Sequence, residues 1–265
     1  MIIEKANRRS RYYDEDRIII GDNYAMVCDG ATSLVKTNIK PTEASWFVSL
    51  IKKKLPKSSN NIIEDLASIS KYAYSKYEYK DLKYLPSCGI AAISFNNDLI
   101  TINTIGDCEA IIKFKNGKIE RMLIESLPKL DMMVINEMKK ISNDKKIPLL
   151  DTYNEVKPML LENRMLMNKQ NGYPVFTISE NPDFIYYNKS FNKNDIDEIY
   201  IFTDGFAQAY EFLNIYSSYN EMFKKSLNLQ EEINKIVDVA FRDKSCDKFP
   251  RFKTIDDIAV VKIKF

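Results

Sequence analysis

The chain of 265 residues contains no histidine. That absence excludes every Ser-His-Asp and Cys-His hydrolytic scheme. It also excludes metal sites that depend on imidazole and any histidine general base. Carboxylates, lysines, arginines, tyrosines, cysteines and bound metal remain for chemistry. No stretch of about 18 apolar residues occurs, so no membrane span is expected. The opening stretch MIIEKANRRSRYYDEDR has no apolar h-region, so no signal peptide is expected and a cytoplasmic location is the working assumption. Cys28, Cys88, Cys108 and Cys246 form no CxxC pair, which points to reduced thiols and away from a metal knuckle. A net charge of only +2 gives no global field, so no nucleic-acid partner is expected.

What is present is a core. Hydrophobic residues make up 45% of the chain and aromatic residues 12%, which excludes a disordered chain. No internal repeat and no linker rich in Pro, Gly or Ser stands out. A single domain over residues 1–265, monomeric, is therefore expected. Residues 17–20 and 24–28 read as a hairpin around Gly21-Asp22-Asn23. A helix follows from Pro41-Thr42-Glu43 to residue 54, with Pro in its first turn and Lys in its last. Residues 61–79 read as a second helix, with Ile62, Leu66, Ile69, Ala73 and Tyr77 on one stripe. The period then shortens. Residues 89–95, 98–104, 109–114 and 118–124 read as an antiparallel meander turning at Asn96-Asn97, Gly106-Asp107 and Asn116-Gly117. Residues 129–143 read as a helix, and 144–173 carry no clear period, with Leu160, Leu161, Met165 and Leu166 suggesting partial helix. Residues 184–187, 198–203 and 258–263 read as strands, and 229–241 as an amphipathic helix. Grouped strands and grouped helices give an α+β class.

The scarcity of glycine, with seven residues in all, makes its neighbours informative. Asp29-Gly30 and Asp204-Gly205 each end an apolar strand. Gly106-Asp107 sits at a turn. Asp256-Asp257 precedes the last strand, and Asp14-Glu15-Asp16 precedes the first. Taken singly, an Asp-Gly pair is turn chemistry and an acid run is a solvated face. Taken together, acids cluster at several strand ends that stacked sheets can bring to one edge. Carboxylates so gathered cannot all stay ionised without a cation. Hard ions such as Mg²⁺ or Mn²⁺ take oxygen ligands, and two of them can acidify a bridging water without any histidine. An arginine would then suit the phosphate.

The order Arg11-x-x-x-Glu15-Asp16, Val27-Cys28-Asp29-Gly30, Cys88-Gly89-Ile90-Ala91, Ile105-Gly106-Asp107-Cys108, Phe202-Thr203-Asp204-Gly205 and Asp256-Asp257-Ile258-Ala259-Val260-Val261 resembles the metal-dependent protein phosphatases of type 2C, the PPM family, in its bacterial-like branch. The resemblance implies a four-layer αββα sandwich of two stacked antiparallel sheets flanked by helices. It implies a serine/threonine phosphatase that acts on phosphorylated proteins through a metal-bridging hydroxide. Carried over, Asp29 bridges two Mn²⁺ or Mg²⁺ ions. Asp204 and Asp256 complete the first site, Glu15 and the Gly30 carbonyl serve the second, and Asp16 acts through water. Arg11 matches the phosphate-binding arginine. Asp107 with Asp204 matches a weaker third metal site.

Three positions depart from the family pattern. Ala31 stands where many members have histidine after the Asp-Gly, although the bacterial branch includes members without it. Gln208 stands where an acid often follows the late Asp-Gly by four positions. Thr32-Ser33 replaces a small glycine pair. Ala31 and Gln208 keep a second reading open, a weak or inactive phosphatase-like module that binds phosphopeptides. A third, an aspartyl-phosphate phosphohydrolase built on Asp14-x-Asp16, is disfavoured because its nucleophile should end a strand, and here the strand follows the acids.

Overall fold

The computed structural model describes residues 1–10, 13–226 and 228–265. Two antiparallel sheets form its centre. The first runs β1 (Ile2–Arg8), β11 (Ile258–Lys264), β10 (Ile196–Phe202), β6 (Glu109–Phe114), β7 (Ile119–Met122). The second runs β2 (Asp16–Ile20), β3 (Tyr24–Gly30), β4 (Ser87–Asn96), β5 (Leu99–Ile105), β9 (Tyr187–Asn192), with β8 (Phe176–Thr177) on β4.

Side chains alternate across a strand, so each central strand feeds two layers. Ala25 and Val27 of β3 meet Ile199 and Ile201 of β10 and Ala259 and Val261 of β11 between the sheets. The opposite faces pack outward. Met26 and Cys28 meet Phe47, Val48 and Ile51 of α1 (Glu43–Lys54) and Leu66 and Ile69 of α2 (Ile62–Lys76). Tyr200, Phe202 and Val260 meet α5 (Asp204–Glu211), α6 (Tyr219–Lys225) and α7 (Leu229–Arg242). The result is helix, sheet, sheet, helix. It explains why the inner strands read as continuous apolar runs: both faces are covered. The remaining helices, α3 (Ser126–Lys145) and α4 (Tyr153–Arg164), have a small core of their own around Val134, Met138 and Val156.

Helix ends follow local chemistry. Thr42 caps α1 by accepting from the Ser45 N–H, and Lys52, Lys53 and Lys54 close its last turn. Asn228 caps α7, which buries Leu229, Ile233, Ile236 and Ala240 on one face.

Three expectations need correction. The meander is two hairpins in different sheets: β4 pairs with β5, and β6 pairs with β7 and β10. Gly106, at φ +75°, carries the chain from one sheet to the other. The strand expected at 184–187 is β9, Tyr187–Asn192, an edge strand whose polar, exposed pattern hid it. The strand expected to run to Asp204-Gly205 stops at Phe202, and the pair opens α5. β1 was not foreseen, being a half-exposed edge that pairs, among the described residues, with β11 alone.

Candidate metal centre

The ladders explain why distant acids meet. In an antiparallel pair, the end of one strand lies beside the start of its neighbour. Asp16 opposes Asp29 across β2 and β3. Phe202 opposes both Val260 of β11 and Glu109 of β6, so Asp204, Asp256 and Asp107 emerge at the same end. Two glycines permit the approach. A Cβ on Gly205 would lie 1.9 Å from the Asp257 carbonyl oxygen, and one on Gly30 would lie 2.6 Å from the Glu15 carbonyl oxygen.

The electrostatics are severe. Desolvation, then Asp16, Asp107 and Asp256, push the Asp29 carboxyl well above the ordinary aspartate range. Asp16 is raised by burial and by Asp256, and Asp204 by burial, Asp256 and Asp29. Asp107 is pushed up to about 6, mainly by desolvation. Among the described residues, Asp16 Oδ2 and Asp29 Oδ2 are buried without a hydrogen-bond partner. Orphaned carboxylate oxygens of this kind are costly unless something positive meets them. Asp29, Asp107 and Cys108 present ligand atoms within 4.8 Å of one another. Burial and the adjacent Asp29 push the Cys108 thiol well above its ordinary range, and the other ligand atoms gathered here are carboxylate oxygens. The donor set therefore fits hard divalent cations.

The expected residues are not equivalent. Asp16, Asp29, Asp107, Asp204 and Asp256 are brought together. Glu15 is engaged elsewhere: Thr32 Oγ1 donates to its Oε2 at 2.8 Å and Thr42 Oγ1 to its Oε1 at 2.7 Å. Its backbone carbonyl accepts from the Gly30 N–H at 3.0 Å. Asp257 holds the acid-bearing loop by accepting from the Ser10 N–H and hydroxyl at 2.6 Å and from the Glu15 N–H at 2.7 Å. Arg11 lies outside the described residues.

Two participants were not foreseen. Lys253 places Nζ 2.6 Å from Asp256 Oδ1, and its charge also acts on Asp204. Its place three residues before Asp256 was the available signal. Asp131, on α3, is pushed up to about 7 by desolvation and then by Asp107. It reads as part of a solvated helix face, so nothing in the sequence marks it.

A cavity of about 810 Å³ lies over the cluster, with Asp29, Asp107, Asp204 and Asp256 on its floor and Asn163 and Arg164 of α4 in its wall. A smaller one of about 290 Å³ adjoins it and is bordered by Asp107, Asp131, Asp204 and Gln208. Gln208 is 4% exposed, and its Oε1 has no partner among the described residues.

No family model matches the sequence, and no curated protein matches it. The folded chain, by contrast, is similar to several solved structures. The Mycobacterium tuberculosis serine/threonine phosphatase PstP/Ppp aligns over 100% of this chain and 98% of its own, with a TM-score of 0.59 and 11% identity. Stp1, a serine/threonine phosphatase from Staphylococcus aureus, aligns over 99% of this chain and 94% of its own, with a TM-score of 0.56 and 12% identity. The catalytic domain of PstP in complex with 2 manganese ions aligns over 98% and 96%, with a TM-score of 0.55 and 11% identity. The αββα sandwich of this chain is thus the fold of these bacterial serine/threonine phosphatases.

Proposed function

We propose that the chain is a Mn²⁺- or Mg²⁺-dependent serine/threonine protein phosphatase. One observation carries the reading: aspartates from β2, β3, the β5–β6 connection, the start of α5 and the approach to β11 converge on buried, unpartnered carboxylate oxygens beneath an open cavity. In this reading Asp29, Asp204 and Asp256 would hold one ion. The other, expected from Asp29, Glu15 and the Gly30 carbonyl with Asp16 acting through water, would instead take Asp16 directly with Glu15 behind it, because both Glu15 carboxylate oxygens already accept from Thr32 and Thr42. Bound divalent cations supply Lewis-acid charge for the phosphoryl oxygens and an acidified water.

The chain's own residues do the rest. Asp257 fixes the loop that carries Glu15 and Asp16. Thr32 and Thr42 fix the Glu15 carboxylate and couple it to the start of α1. Arg11 is assigned to the phosphoryl group, which its planar fork suits. A third cation would be held by Asp107 and Asp204, with the Gln208 amide oxygen as a neutral donor and Asp131 close by.

Lys253 favours the alternative of a weak or inactive phosphopeptide-binding module, because it already brings one positive charge to the acids. One assay separates the two. The wild type is expected to hydrolyse a phosphoserine peptide and an aryl phosphate with Mn²⁺, to stop on chelation, and to lose at least about a thousandfold in Asp29→Ala. Wild-type turnover in that variant, or no turnover by the wild type, would overturn the enzyme reading.

A further inference from the structure

The floor and wall of the large cavity carry opposite charge. Arg164, the last residue of α4, is 6% exposed yet forms no ion pair among the described residues. Its Nη2 donates to the Leu85 carbonyl at 2.6 Å, and its Nε is buried with no partner. The neighbouring Asn163 Nδ2 is buried and unpartnered as well. Both residues border the cavity that holds the acidic floor.

The carboxylate whose charge acts on Arg164 is that of Glu43, and it is otherwise engaged. Its Oε1 accepts from the Thr37 hydroxyl, and it acts on Arg164 only through space, more weakly than Tyr173 and Tyr77. Burial pulls the guanidinium down from its ordinary value, the response of a cation without a contacting carboxylate. A buried arginine normally satisfies its donors or pairs with an acid. This one leaves Nε unsatisfied. The Tyr173 ring links the two poles, because its phenol lies within electrostatic reach of Arg164 on one side and of Asp131 and Asp107 on the other.

We propose that Arg164, assisted by Asn163, is an anion subsite that binds a second anionic group of the substrate while the phosphoryl group to be removed sits over the aspartates. This deepens the phosphatase reading and rests on it. The ligand class is a phosphopeptide with a second phosphate or a carboxylate near the scissile phosphoester. Such a group supplies the planar, charge-assisted acceptor that a guanidinium fork matches, and Asn163 adds a neutral donor.

The test uses the full chain with Mn²⁺ and two phosphoserine peptides of equal length. One is otherwise neutral; the other carries a second phosphoserine or a glutamate nearby. The readout is the ratio of their kcat/KM values, so a general loss of activity cancels. The wild type is expected to favour the doubly anionic peptide about tenfold, mainly through KM. Arg164→Met is expected to bring the ratio close to one, and Arg164→Lys to retain part of it. A wild-type ratio near one, or an unchanged ratio in Arg164→Met, would overturn the proposal. If Arg164→Met does not fold, Asn163→Leu is expected to lower the ratio, and an unchanged ratio there counts against the subsite. Failure of the phosphatase reading looks different, since the wild type would then turn over neither peptide nor an aryl phosphate. In that case binding of inorganic phosphate is compared by calorimetry. About tenfold weaker binding in Arg164→Lys would support the subsite, and equal binding would overturn it.

Discussion

The space between the sheets and the end of the same sheets obey opposite rules. Between them, Ala25, Val27, Ile199, Ile201, Ala259 and Val261 are all fully buried and apolar. A few residues along the same strands, Asp16, Asp29, Asp204 and Asp256 crowd together, and two of their carboxylate oxygens have no partner among the described residues. The first region is what burial of apolar surface favours. The second opposes folding of the metal-free chain through like charge and desolvation. A fold that keeps such a cluster is held together elsewhere, and the strain is concentrated where a cation would relieve it.

Paired substitutions break this comparison most sharply. Ile201→Ala removes methyl groups from the inter-sheet core and should cost about 2–5 kcal/mol of stability. Asp29→Asn takes one charge out of the cluster and should leave the metal-free protein as stable as the wild type or more so, while weakening Mn²⁺ binding. Denaturant melts of both variants in chelator check the signs. A strongly destabilised Asp29→Asn would mean that the acids are paired in the metal-free fold and that the contrast is false.

Metal sharpens the same contrast. A ligand present at a hundred times its dissociation constant stabilises the native state by about 2.7 kcal/mol. Mn²⁺ should therefore raise the melting temperature of the wild type and of Ile201→Ala alike, and much less that of Asp29→Asn. A thermal melt with and without Mn²⁺ reads this directly, and an equal rise in all three proteins would place the ion somewhere else.

The two regions also differ in how visible they are in the chain. The core strands and the acids at 29, 204 and 256 were legible because a strand and the residue at its end are local features. Sheet membership is not local. The run 109–114 looks the same whether it continues a meander or crosses to the other sheet, and only pairing with β10 decides it. Asp131 was invisible because an acid on a helix resembles a solvated face until the tertiary fold turns it toward Asp107. Arg164 lay in a stretch without clear period, since α4 packs on a small core and buries little besides Val156 and Arg164 itself.

The smallest effect follows from the missing histidine. Between pH 5 and 7.5 most proteins titrate imidazoles, and this chain has none. The carboxyls shifted into that window are Asp107 at about 6, Asp131 at about 7 and, away from the centre, Glu211 at about 7. Each is raised in the fold above its ordinary value, so over this range the native state keeps protons that the unfolded chain has already released. The native state then binds more protons than the unfolded one, and stability falls as the pH rises. The loss begins near the ordinary carboxylate range and continues through the raised values of Asp107, Asp131 and Glu211. In chelator, the midpoint of urea unfolding should therefore drop steadily from pH 5 to 7.5. Asp131→Asn should flatten part of that drop, and saturating Mn²⁺ should flatten more of it, because the ion favours the ionised acids that the metal-free fold penalises. A midpoint that rises with pH in chelator would show that these carboxylates are already compensated, with Lys253 as the available counter-charge.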